Sequence, residues 1–278
     1  MVIGLRAHDA AYAPFDELVP NIKAQGFDCI HIALSKSIKE FTPDIAAMTP
    51  AFAMHMKRVC AKNDLDVAVL GCYLNLCNPD PVQHKEIVDK YTAHLRFASM
   101  LGCGVVGTET GACNTEYRFE PFSHTDEALK ICIDNLAPVV ETAEKFGVLM
   151  AIEPVWTHIV STEDPARQLL HEIASPNLQI ILDPVNLLHA EIVEDQDAML
   201  REAFDQLGNE IAVVHMKDFV LQGDQKVPTA IGQGKLDYPY LCKLIKEKKP
   251  YIHCTLEETT PANAVASREY VQKTYAEA

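Results

Sequence analysis

Glu153 closes the apolar run "LMAIE", Asp183 closes "LQIILD", His215 lies in "IAVVHMKD", and Glu257 lies in "YIHCTLEE". Burial penalises the charged form of a carboxylate, so an ionisable group at the tip of an oily strand needs a partner. One such residue says little. Four of them, each about one strand–helix unit after the last, form a constellation. Three carboxylates and an imidazole drawn together would repel one another unless a cation lay among them. Oxygen donors with a single nitrogen suit a hard or borderline divalent ion: Mn²⁺ first, with Mg²⁺ or Co²⁺ as alternatives. The plainer alternative is four polar residues satisfied separately, each capping its own strand or helix.

The elements that must position them are legible as short runs rich in Val and Ile: residues 2–5, 27–34, 66–72, 104–109, 149–153, 178–183, 211–218 and 251–258. Helical periods fill the gaps. Gly26, Gly102 and Gly147 stand where helices should stop, Thr162 is a candidate N-cap, and the tail "SREYVQKTYAEA" reads as a closing amphipathic helix. Alternating strand and helix implies a parallel sheet covered on both faces. Eight units in 278 residues leave roughly 35 each, which fits a (β/α)8 TIM barrel with its active face at the strand carboxyl ends. A doubly wound open sheet is the alternative. No linker or composition break divides residues 1–278, so one domain is expected.

The formal charge of -15 and pI of about 5.1 would repel phosphate polymers and anionic lipid, so neither nucleic acid nor a membrane is an expected partner. "MVIGLRAHDA" carries no signal pattern, and no run approaches the roughly 18 apolar residues of a membrane span. Nine cysteines without a C-x-x-C pair read as buried thiols of a reducing compartment, and a cytoplasmic location is expected.

Taken with their flanks, Glu153 after "LMAI", Asp183 after "QIIL", His215 in "VVHMKD" and Glu257 in "CTLEET" resemble the xylose isomerase-like TIM-barrel superfamily over essentially the full chain. "IGQGKLDYPYLCKLI" resembles that family's loop and helix before the last strand. The resemblance implies a metal-dependent sugar isomerase or epimerase acting on a ketose or polyol-ketone. It makes all four residues metal ligands, and Glu153 and Glu257 also the acid/base pair. A metal-polarised carbonyl acidifies the neighbouring C–H, and the resulting enediolate is stabilised by the cation. Returning the proton to the opposite face gives an epimer. Expelling a β-hydroxyl instead gives a dehydration, as in the inosose dehydratases, and the ligand motif does not choose between them. A non-catalytic sugar-binding barrel is a remoter alternative, and the acidic balance argues against an endonuclease IV-like enzyme. Related barrels pair or form tetramers, which suggests a homo-oligomer by analogy.

Departures from the epimerase pattern put the substrate in doubt. Asn186 stands where the epimerases usually have histidine, Trp156 and His158 follow Glu153 where a further glutamate is usual, and Lys217 sits closer to the strand-seven histidine than the family's basic residue. Expected substrate contacts are His8, Glu109, Trp156, Asn186 and Lys217. Lys217 and Asp218 could bind hydroxyls or pair with each other. Gly232 and Gly234 could shape a turn, while Lys217, Lys235 and the amides around Gly232 could hold a phosphate. "CYLNLCNPD" (72–80) could form a lid.

Overall fold

Apolar and β-branched residues suit a strand covered on both faces. The computed structural model describes residues 1–278 and closes eight such strands into a parallel barrel. In chain order the strands are β1 (Val2–Arg6), β2 (Cys29–Ile32), β3 (Asp66–Gly71), β4 (Val105–Glu109), β5 (Leu149–Glu153), β6 (Leu178–Leu182) and β7 (Ile211–Met216), then β8 (Asp218–Gln222), β9 (Gln225–Thr229) and β10 (His253–Leu256). β1 to β7 pair in sequence, and β10 closes the ring between β7 and β1. The open doubly wound alternative is thereby excluded.

Cys29, Val69, Val105, Ala151, Ile181 and Val213, one from each of six successive strands, pack as a small cluster separate from the main core. Gly107 is required there: a Cβ would lie 2.7 Å from Ile181 Cδ1 and 2.9 Å from Val69 Cγ1. The larger core lies between the strands and the surrounding helices. Those helices begin and end where their punctuation predicts. Thr49, Asp80, Thr125 and Asp237 accept capping bonds from backbone N–H groups, and Gly102 and Gly147 end theirs at φ of 84° and 64°. Thr162 holds the N-cap position of helix Glu163–Ile173, but its side chain makes no capping bond.

Two features depart from expectation. β8 and β9 form an antiparallel hairpin after β7, joined by Gly223 and Asp224, with Gly223 at φ 61°. The apolar "DFVLQ" and the two-residue Gly-Asp turn were the available signals. Pro228 is tolerated because this sheet has only two strands. Segment 72–80 is no open lid: Asn75, Leu76, Cys77 and Asn78 are buried, and Asp80 caps helix Pro81–Leu101. All nine cysteines are free thiols, and only Cys113 is not buried. No helix is long and apolar enough to cross a membrane.

Candidate active site

Parallel strands deliver their last side chains to one rim. β5 ends on Glu153, level with Glu109 at the end of β4. Asp183 follows β6 and caps the short helix Pro184–Leu187, its Oδ1 accepting from the Val185 and Asn186 N–H groups at 2.9 and 3.1 Å. Oδ2 is left to face Lys217 Nζ at 2.9 Å. His215 lies within β7, and Glu257 follows β10, its N–H bonded to the Met216 carbonyl at 2.9 Å.

One ligand atom from each of Glu153, Asp183, His215 and Glu257 lies within 4.8 Å of the others, and all four side chains are buried. His215 Nδ1 sits 3.2 Å from Glu153 Oε2 and 3.3 Å from Glu257 Oε1, aligned as a hydrogen bond to neither, and Nε2 is also unpartnered. A fully buried imidazole with both nitrogens free, ringed by carboxylate oxygens, is what a divalent cation's donor set requires. These residues fit a metal.

Charge balance around the cluster is uneven. Burial pushes the Glu257 carboxyl up, but His215, the nearby His31, Arg6 and Lys217 outweigh it and hold the group well below the usual range. Burial also opposes the charged form of Glu153, again outweighed, chiefly by His215. His215 is disfavoured as a cation by burial, yet Glu257 and Glu153 raise it to about 9. Asp183 goes the other way: burial overrides Lys217 and lifts it to about 6. Burial and then Glu153 lift Glu109 to about 7.

Hydrogen bonds fix the two glutamates differently. Asn186 Nδ2 donates to Glu153 Oε1 at 2.6 Å, and the Tyr73 hydroxyl donates to Oε2 at 3.4 Å. Arg6 Nη1 lies 3.3 Å from Glu257 Oε2 while its other nitrogens hold Asp9. His31 stacks on His215 with ring centroids 5.2 Å apart and reaches Glu257 Oε1 at 3.4 Å.

Of the expected substrate contacts, His8, Glu109, Asn186 and Lys217 line the barrel mouth, a cavity of about 300 Å³. Trp156 does not; it lines an adjoining cavity. Lys217 and Asp218 do not pair with each other. Asp218 accepts from the N–H groups of Phe219, Gly232, Gly234 and Leu236, pinning the loop before the last helix–strand unit. The G-x-G is thus a turn moulded on Asp218: a Cβ at Gly234 would lie 2.1 Å from Asp218 Oδ1. The amides of Gly232 and Gly234 and Lys235, which pairs with Glu194 at 3.1 Å, are engaged and offer no phosphate cradle.

Arg6, His31, Tyr73, Lys36 and Glu258 also line the mouth and were not anticipated. His31 had a signal, a lone polar residue between isoleucines in "CIHIAL". Tyr73 sits in the loop after β3 and Lys36 in the short helix Leu34–Ser37, where spacing says nothing about direction.

Residues 19–274 match the xylose isomerase-like TIM barrel family, and the chain belongs to it. No curated protein matches the sequence. A D-tagatose 3-epimerase-like protein superposes with a TM-score of 0.79 at 17% identity, covering 100% of this chain and 98% of that one. The 3-keto-D-glucoside 4-epimerase from E. coli gives 0.76 at 18% identity, over 98% and 99% of the two chains. A xylose isomerase-like barrel from Mycobacterium smegmatis, in complex with magnesium, gives 0.69 at 14%, over 100% and 96%. At such identities the likeness is one of fold.

Proposed function

We propose that this protein is a divalent-metal-dependent sugar isomerase or epimerase that moves a proton next to the carbonyl of a ketose or related polyol-ketone. The observation that carries the reading is the buried cluster of three carboxylates around an imidazole with no hydrogen-bond partner. Sugar epimerases and a magnesium-bound barrel among proteins of the same fold support it.

Glu153, Asp183, His215 and Glu257 would hold the ion, Mn²⁺ by preference of the donor set, with Mg²⁺ or Co²⁺ as alternatives. A bound divalent ion would polarise the ketone oxygen and lower the cost of negative charge developing there. Glu153 and Glu257 serve as the proton-transfer pair. Asn186 and Tyr73 fix the Glu153 carboxylate, while Arg6 and His31 keep Glu257 charged and oriented. One carboxylate removes the proton beside the carbonyl, and the other returns one to the opposite face. Lys217, held by Asp183, and His8 meet substrate hydroxyls at the rim.

Loss of water is the second reading. Glu109 favours it, a further carboxyl in the mouth outside the four-residue cluster, steadied by the Tyr117 hydroxyl at 3.0 Å and placed to protonate a departing hydroxyl. The test is mass spectrometry on a panel of ketoses and inososes incubated with protein and Mn²⁺ in D₂O. Uptake of one deuterium at unchanged composition is expected; loss of water would establish the lyase. No change across the panel with metal bound would overturn both.

A further inference from the structure

A second cavity of about 660 Å³ adjoins the barrel mouth, and Asn186 lines both. The same residue ties them together. Its side chain donates to Glu153, and its carbonyl accepts from the Trp156 N–H at 2.9 Å. One wall of the cavity is aromatic: Trp156 stacks on His189 with centroids 3.9 Å apart and planes at 21°, and His124, outside the cavity, backs Trp156 edge-on at 5.3 Å. The hairpin supplies the facing groups, Asp224 from its turn and Lys226 from β9.

The lining selects against an anion. Glu191 and Asp224 are acidic, and the one ammonium, Lys226 Nζ, is already bonded to the Val185 and Leu188 carbonyls. It also selects against a purely apolar group, which would strip water from these carboxylates and give nothing back. An uncharged ring with an apolar face for the Trp156–His189 pair and hydroxyl edges for Asp224, Glu191 and Asn186 satisfies both conditions. That is a pyranose.

We propose that the substrate has two rings: a keto-sugar in the mouth, joined through a glycosidic bond to a second, uncharged sugar ring on the Trp156–His189 wall. The proposal rests on the keto-sugar reading above and extends it from free ketoses to glycosides.

Trp156 is the only tryptophan, so its emission reports on the wall directly. The Mn²⁺-loaded protein is titrated with methyl β-cellobioside and methyl β-maltoside, which carry no free or masked carbonyl and so offer the metal site nothing to enolise. Glucose, glucose 6-phosphate and phenyl β-D-glucoside serve as comparators, and calorimetry detects any binding that leaves the emission unchanged. A disaccharide should bind at least tenfold more tightly than glucose or glucose 6-phosphate. His189→Ala should weaken that binding at least tenfold without moving the melting temperature by more than a few degrees. Equal affinity for glucose, preference for the phosphate or the phenyl glucoside, or indifference to His189→Ala would overturn the second-ring site. Deuterium exchange on a free ketose without disaccharide preference would overturn this proposal alone. Disaccharide binding with no exchange on any keto-sugar would leave the wall standing and remove the reaction.

Discussion

Glu153 and Glu257 lie 3.2 and 3.3 Å from His215 Nδ1 and are held by different neighbours, Asn186 and Tyr73 for one, Arg6 and His31 for the other. If they are the proton-transfer pair, Glu153→Gln and Glu257→Gln should each lower deuterium exchange into substrate by about 10²- to 10⁴-fold. The melting temperature should change by only a few degrees, because the amide keeps the shape of the side chain. Near-normal exchange in either variant would remove that residue from the pair. Metal binding has a separate readout. An ion that binds only the native state adds about 2.7 kcal/mol at a hundredfold excess over Kd, which for a chain this long raises the melting temperature by roughly 5–10 °C. Adding Mn²⁺ to chelator-treated protein should show that rise, and His215→Ala and Asp183→Asn should abolish it. Persistence of the rise in both variants would place the ion elsewhere. The four clustered positions, Glu153, Asp183, His215 and Glu257, were legible because each closes or interrupts an apolar run. Arg6, the last residue of β1, and Tyr73, in the loop after β3, were not, since neither spacing nor type tells which rim side chain turns inward.

At the scale of elements, the eight barrel strands and the helices between them were readable, because burial on both faces leaves uninterrupted runs of Val, Ile and Leu and because glycine marks helix ends. The β8–β9 hairpin escaped because its strands are half-exposed and β9 mixes Gln225, Lys226 and Pro228 into the run, so their period is weak against the buried barrel runs. The hairpin matters to the site all the same. Lys226 clips it to the carbonyls of Val185 and Leu188, at the end of the short helix that Asp183 begins. Asp218 anchors its other side by gathering the N–H of Phe219 within β8 and those of Gly232, Gly234 and Leu236 along the following loop. Bonds to a charged acceptor are worth more than neutral ones, and removing the acceptor leaves buried donors without a partner. Asp218→Ala should therefore destabilise the protein by about 3 kcal/mol, read as a lowered urea midpoint at unchanged slope. A cost below about 1 kcal/mol would mean that water readily replaces the carboxylate and that the loop is not pinned from here.

For the molecule as a whole, the barrel forces ionisable groups together at one rim, and stability should carry the imprint. His158 Nδ1 lies 3.8 Å from Glu109 Oε2, and their titrations are displaced so that both are neutral over a middle pH range. Burial lowers His158 from 6.5 to about 4, whereas burial and Glu153 raise Glu109 from 4.5 to about 7. The signs follow from which state binds more protons. Between about pH 6.5 and 4 the unfolded chain protonates His158 while the folded one resists, so this residue's contribution is full above 6.5 and is lost as the pH falls through 4. Glu109 is the reverse: its folded form holds a proton that the unfolded chain has released, so its contribution is full below 4.5 and is lost as the pH rises through 7. The two slopes oppose each other between about 4.5 and 6.5, which leaves the neutral pair favoured in that window and penalised on either side. In urea melts of metal-free protein, His158→Gln should reduce the loss of stability toward pH 4, and Glu109→Gln should reduce the loss toward pH 8. If each variant instead shifts the whole curve by a constant amount, the two groups titrate alike in the folded and unfolded chains, and the rim does not bury them as tightly as the geometry requires.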